Sequence, residues 1–192
     1  MQTVVLTAFT ESANVKQQFA REHVDRIVQV ATLIAKAFDN GNKVLLFGNG
    51  GSSTDAAHIA AEFVGRYKKE RVPLPAIALA TDIAAITCIA NDYGYEELFA
   101  RQVRAHGRKG DIAIGISTSG NSPNVLRGIT AAQECGLTTV AWTGGTGGKL
   151  AGLVDYPFVV PSTLTSRIQE SHITLGHVLC ELVEDHLLGK TS

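Results

Sequence analysis

Cysteine is scarce in this chain, and what there is stands alone. Cys88, Cys135 and Cys180 are isolated and odd in number, with no Cys-x-x-Cys among the 192 residues. That excludes a disulfide framework and points to a reducing compartment. Each thiol reads as a small buried apolar side chain. Excess charge is also missing. The formal net charge is −1 and the Lys and Arg residues are dispersed, so no basic face exists for a nucleic-acid partner. The opening MQTVVLTAFTES has neither a basic stretch nor a long apolar one. No segment is apolar enough to cross a bilayer, so the expected location is cytoplasmic, with no membrane partner. Two nucleotide-binding signatures are absent as well. G-x-G-x-x-G would need glycine at Ser53, and no G-x-x-x-x-G-K-[ST] occurs.

What is there is an ordinary globular composition, 45% hydrophobic and 18% charged, which argues against disorder. The length suits one α/β domain over residues 1–192. The first 40 residues have helical spacing. Val24, Ile27, Val28, Ala31, Ile34, Ala35 and Phe38 form one apolar stripe that ends at Asn40-Gly41. A shorter helix is expected before it, near 8–20. Together they make a helical arm (1–40) suited to packing on another subunit.

Beyond the arm, short apolar runs alternate with helical segments. Strands are expected at 43–47, 75–79, 111–116, 138–142 and 155–161. Helices are expected at 52–65, 81–90, 95–107, 122–136 and 166–189, with a short one after the loop at 143–148. NDYG is expected to split the second helix from the third. Ser122, Pro123 and Gly136 supply the cap, first turn and end of the 122–136 helix. The alternation implies a doubly wound, mainly parallel five-stranded sheet flanked by helices.

Ligands of such sheets sit beyond the carboxyl ends of the strands. Three loops leave there: GNGGSS (48–53), STSGNS (117–122) and TGGTGG (143–148). In the first, Gly50 and Gly51 allow close backbone approach, and the next helix begins with free N–H groups, which suits a small anion. In the second, Ser117, Thr118, Ser119 and Ser122 place four hydroxyls in six residues. Hydroxyls and amides of this kind can wrap a phosphate monoester, although turn and capping chemistry also gathers Ser and Gly. Both loops together on neighbouring strands resemble the sugar isomerase (SIS) fold, whose Ser/Thr-rich loop takes the phosphate of a phosphosugar.

Two helices carry polar groups among apolar neighbours. His58 and Glu62, four apart in AAHIAAEF, share a helix face. A local hydrogen bond between them would explain the pair without any function. RIQESHITLGH carries Gln169, Glu170, His172 and His177. Gln169 and His177 are eight positions apart, about 80° around a helix and roughly 12 Å along it. One metal can touch both if the side chains lean together, if the helix is irregular, or if two subunits share the site.

GNGGSSTDAAHIAAEFVGRY, ANDYG, GISTSGNSPNV and RIQESHITLGHVLCELVE, in this order, resemble the phosphoheptose isomerases over nearly the whole chain. The resemblance implies conversion of sedoheptulose 7-phosphate to D-glycero-D-manno-heptose 7-phosphate, a first step towards ADP-heptose and from there lipopolysaccharide or another heptose-bearing glycan. It implies one zinc ion per subunit on His58, Glu62, Gln169 and His177, with proton transfer by Glu62 and His177. Substrate contacts would come from Asn49, Gly50, Gly51, Ser52, Glu62, Asn91, Asp92, Ser117, Thr118, Ser119, Ser122 and Gln169. A homotetramer with sites near subunit boundaries is also implied. Some members have an acidic residue just before the RIQE segment, where this chain has Thr165-Ser166. Three rivals remain: a noncatalytic tetramer of the same fold that binds the replication initiator protein, a phosphosugar sensor, and a phosphosugar isomerase for a sugar of different chain length, since the loops recognise phosphate and not carbon number. The initiator-binding relatives lack the acid and the final histidine, which this chain keeps as Glu62 and His177.

Overall fold

The computed structural model describes residues 1–189. Helix α1 spans Gln2–Asp39, and strand β1 spans Val44–Gly48. There follow α2 (Gly51–Val64), β2 (Ala76–Ala78) and α3 (Ile83–Tyr93). A 3₁₀ turn at Tyr95–Glu97 leads into α4 (Leu98–His106) and β3 (Ile112–Ile116). The chain closes with α5 (Pro123–Glu134), β4 (Thr138–Gly144), α6 (Gly148–Ala151), β5 (Tyr156–Val160) and α7 (Thr165–Leu188).

All strand pairs are parallel, in the order β2-β1-β3-β4-β5. The chain leaves β1 for one edge and then returns to build the other. The connections therefore diverge at the carboxyl ends of β1 and β3, where a ligand crevice opens in such sheets. Alternate strand residues face opposite layers. Leu46, Ile114, Trp142 and Phe158 pack under α1, α2 and α7. Leu45, Phe47, Ala113 and Ala141 pack under α4, α5 and α6. Burial on both faces explains why β1 and β3 are continuous apolar runs.

The sequence expectations need two corrections in the helices. The N-terminal region is one 38-residue helix, not two, because nothing in residues 2–39 breaks it. Its second half is buried against the sheet through Val30, Ile34 and Phe38. Its first turns leave Val4, Leu6 and Phe9 at least 70% exposed, with Arg167 of α7 reaching the Ala8 carbonyl at 2.8 Å. Helix α3 also runs through Asn91-Asp92-Tyr93 and stops only at Gly94, whose φ of 87° suits glycine. Asp82 caps its start by accepting from the Ala85 N–H. Among the described residues, no helix is long and apolar enough to cross a membrane.

Candidate active site

The GNGGSS and STSGNS loops lie side by side because β1 and β3 are paired from Val44↔Ile112 to Gly48↔Ile116. A reciprocal amide pair joins them. Asn49 Nδ2 donates to Asn124 Oδ1 at 2.9 Å, and Asn124 Nδ2 donates back to Asn49 Oδ1 at 2.9 Å. Tyr95 Oη donates to the same Asn49 oxygen at 3.0 Å. Gly48 has no room for a side chain, since a Cβ would lie 2.7 Å from the Ile116 carbonyl oxygen.

Between the loops is a cleft of about 320 Å³ lined by Asn49–Ser52, Ile116–Thr118, Ser122, Thr165 and Gln169. None of these residues is charged. Helices α2, α5 and α7 all begin here, at Gly51, Pro123 and Thr165. The positive dipole ends of these three helices border the cleft, which favours an anion without any lysine or arginine. Ser117 Oγ and Ser122 Oγ are 2.9 Å apart across its floor. Gln169 reaches in from α7 against Gly51, where a Cβ would meet its Nε2 at 2.5 Å. A larger neighbouring cleft of about 790 Å³ shares Thr118 and takes in Ser119, which falls outside the cradle lining, but it contains no titratable group.

The TGGTGG loop lies behind this cradle. Gly144 N–H donates to Thr118 O, Leu150 N–H to Gly120 O and Lys149 N–H to the Asn121 side chain, at 3.0, 3.0 and 3.1 Å. It holds the Ser/Thr loop in shape.

Further along α2 and α7 is the second half of the site. His58 Nε2 is 3.1 Å from Glu62 Oε1, the local pair that their spacing implies. From the other helix, His177 Nε2 comes within 3.3 Å of His58 Nε2. One ligand atom from each of His58, Glu62 and His177 lies within 4.8 Å of the others. The helices can approach this closely because His177 is preceded by Gly176, where any Cβ would collide with Ile59. Burial, and then the neighbouring His58, lowers the His177 pKa below its ordinary value, against a smaller opposing pull from Glu62. His177 is therefore neutral near pH 7 and offers a free lone pair. Two imidazoles and a carboxylate oxygen form a donor set that suits zinc and leaves a coordination position open. The set fits a divalent metal.

Gln169 is at the cradle, with His58, Glu62 and His177 forming the triad. The exposed Asn91 and Asp92, on the last turn of α3, are bonded to each other at 2.8 Å and fall outside the cleft lining. Sequence reasoning missed Asn124 and Tyr95, which fix Asn49, and Tyr67, whose ring stacks on His177 at 5.4 Å and 15°. Asn124 could have been found, since it stands at the second position of the helix that STSGNS opens. It also missed Asp55, one turn before His58. Burial pushes the Asp55 carboxyl pKa up, while His58 pulls it down by less.

Comparison with known proteins agrees with this geometry. The SIS domain family model matches residues 9–144. The phosphoheptose isomerase of Aquifex aeolicus is 62% identical over 92% of this chain and 93% of its own. That of Thermodesulfovibrio yellowstonii is 61% identical over 94% and 90%. The solved phosphoheptose isomerase of Neisseria gonorrhoeae superposes with a TM-score of 0.91 at 44% identity, covering 96% of this chain and 98% of that one. The chain belongs to the SIS-domain family and, within it, to the phosphoheptose isomerases.

Proposed function

We propose that this chain isomerises sedoheptulose 7-phosphate to D-glycero-D-manno-heptose 7-phosphate through an enediol, as its family membership implies. The observation that carries the reading is the alignment of two sites along two helices. Helices α2 and α7 each begin at an uncharged anion cradle and carry the triad further along. From Gly51 to His58 is about 10 Å of helix rise, and from Gln169 to His177 about 12 Å. A phosphorylated sugar can anchor its phosphate at one end and present its carbonyl end at the other.

Moving the carbonyl between C1 and C2 requires a base to lift one proton and an acid to return it to the adjacent carbon. Glu62 and His177 are assigned this shuttle. The neutral imidazole of His177 and the carboxylate of Glu62 can each take or relay the proton only with that lone pair free of metal, so the shuttle requires either that the ligand leave the ion when substrate binds or that the ion be dispensable for the chemistry. The cradle hydroxyls and helix N-termini hold the remote phosphate, so that binding there orients the reacting carbons. Gln169 reaches into the cradle from the helix that carries His177, and is assigned to the substrate as well as to the edge of the metal site. Asn49, Gly50, Gly51, Ser52, Ser117, Thr118, Ser119 and Ser122 are assigned to the phosphate end. Asn91 and Asp92 are assigned to sugar hydroxyls.

One zinc ion per subunit is assigned to His58, Glu62 and His177, with Gln169 as the more distant candidate. Such an ion would supply Lewis-acid polarisation of a sugar oxygen at that end of the site. A homotetramer is part of the same reading. Helix α3 buries no residue in this chain although it is largely apolar, and Ile83 and Tyr93 are exposed on it. The first turns of α1 are likewise uncovered. A second copy would cover both and close the site around Asn91 and Asp92.

Product identification with seven-, six- and five-carbon ketose phosphates tests the function. Conversion of the seven-carbon substrate alone is the expected result. Tight binding of all three without turnover would replace the enzyme with a sensor. Retention of both Glu62 and His177 in one convergent cluster favours the enzyme.

A further inference from the structure

A histidine side chain is loosely defined about its second torsion, which is broad and roughly two-fold. His177 can aim Nε2 at His58 and Glu62 only if something holds its ring. The neighbour that does so comes from the segment after α2, and that segment is fastened by α7 itself.

Glu184 lies seven residues after His177, about two turns along the same face of α7. Its carboxylate is buried and fully engaged. Oε1 accepts from the Tyr67 N–H at 2.9 Å and Arg71 Nε at 3.1 Å. Oε2 accepts from the Lys68 and Lys69 N–H groups at 2.9 and 3.0 Å. Burial works against the charge, but three N–H groups and Arg71 outweigh it and hold the carboxyl pKa below its ordinary value. Arg71 then turns to the end of α2. Its Nη2 donates to the Glu62 carbonyl at 2.8 Å, and its Nη1 to that of Phe63 at 2.8 Å. The side chains of Arg71 and Glu184 are 3% and 2% exposed. One buried ion pair thus ties together the two helices that carry the triad. In doing so it folds the 65–72 segment back on α7, so that the Tyr67 ring lies parallel to the His177 ring at 5.4 Å and 15°. His58 meets the same imidazole edge-on, at 5.0 Å and 72°. The His177 ring is held by a flat neighbour and by the edge contact.

We propose that Tyr67 is a positioning residue for His177: its ring, presented by the Glu184–Arg71 clamp, fixes the imidazole in the orientation that completes the triad. The proposal rests on the triad being the metal-handling and proton-handling centre. The ring carries the effect, and the phenol hydroxyl is dispensable. Tyr67 makes no part of the phosphate cradle, so anion binding is independent of it.

The test compares Tyr67→Leu with Tyr67→Phe in the full chain. Metal-free protein is titrated with Co²⁺ by visible absorption, inorganic phosphate binding is measured by calorimetry, and kcat and KM are determined separately. Outer-shell partners of a metal ligand usually account for 10–100-fold in affinity or activity. Tyr67→Leu is therefore expected to weaken Co²⁺ binding by at least about tenfold and to lower kcat by about tenfold, with KM within about twofold. Tyr67→Phe recovers both to within about threefold of the parent, because it keeps the ring. Phosphate affinity stays unchanged in each.

Parent-like cobalt binding and kcat in Tyr67→Leu would overturn the proposal. So would an equal loss in Tyr67→Phe, which would assign the effect to the hydroxyl. Loss of phosphate binding in Tyr67→Leu would also overturn it, since Tyr67 would then be holding the fold. If the parent itself takes up no cobalt, the metal reading of the triad fails, and Tyr67 is decided by kcat. A kcat loss in Tyr67→Leu that Tyr67→Phe restores supports positioning, and no loss ends it.

Discussion

Gly120 lies so close to the Gly147 backbone that a Cβ built on it would overlap the Gly147 carbonyl oxygen. The Ser/Thr loop and the TGGTGG loop thus meet backbone to backbone, and Gly148 repeats the contact from the other side, against the Ser119 carbonyl. Gly120 also has a φ of 65°, which side-chain-bearing residues rarely adopt.

Gly120→Ala should therefore act on the cradle more than on the triad. Backbone strain of about 1–3 kcal/mol is expected from the dihedral alone. The overlap is with backbone, so relief requires the loop to move. The expected outcome is a rise in KM of at least about tenfold with a smaller fall in kcat, since the phosphate anchor chiefly holds the substrate and secondarily orients its reacting carbons. Steady-state kinetics beside a thermal melt would check it. An unchanged KM would remove the loop from phosphate binding.

Glu62→Gln keeps the shape of α2 and the reach of the side chain but removes the base. A positioned acid–base group typically contributes 10²–10⁴-fold, so a kcat loss of about that size is expected. Substrate should still bind, because the cradle is some turns away. Equilibrium binding and single-turnover kinetics separate the two effects. Full activity would take Glu62 out of the chemistry.

Metal removal should be felt in stability as well as in turnover. His58, Glu62 and His177 are mutually within 4.8 Å, so without an ion they crowd one another. A chelated preparation is expected to gain melting temperature on adding Zn²⁺, and to gain less from Mg²⁺, which prefers oxygen ligands in octahedral geometry. His177→Ala should abolish the zinc response. An equal response to both ions would refute a site built from imidazole nitrogens.

The sequence made the cradle legible because its chemistry is local. GNGGSS and STSGNS each carry their hydroxyls and glycines within six residues, and parallel pairing of β1 with β3 brings them together. His58 and Glu62 were legible for the same reason. What could not be read was anything that depends on how helices pack. The approach of His177 to His58 depends on Gly176 and Ile59, 117 positions apart in the chain. The stack of Tyr67 on His177 depends on Glu184 holding the backbone of a distant loop. The single long α1 reads as two helices in the sequence because its first turns are exposed and its first half meets the core only near Val15 and Phe19, which leaves no continuous apolar stripe.

His172 gives a prediction with a definite sign. It is fully buried on α7, with Nε2 donating to the Thr143 carbonyl at 3.1 Å. Burial lowers its pKa from 6.5 to about 4, and the bond to Thr143 opposes this only in part. Between those values the unfolded chain binds a proton at this site and the folded chain does not. Stability contributed by neutral His172 is therefore complete above about pH 6.5 and is lost as pH falls towards 4, about 3 kcal/mol in all. His23 and His177, also lowered, add to the slope with the same sign, so the measurement needs a comparison. His172→Gln can still donate towards Thr143 but does not titrate, and its stability curve between pH 6.5 and 5 should be visibly flatter than that of the parent. Asp111 and Glu184, whose carboxyl pKa values lie below their ordinary 3.8 and 4.5, begin to cost stability only as pH falls to those ordinary values, below the pH 6.5–5 window of the comparison. Denaturant unfolding at half-unit pH steps in both proteins checks it: parallel curves over the upper window would mean that His172 is protonated in the native state, and that Thr143 is held by an imidazolium.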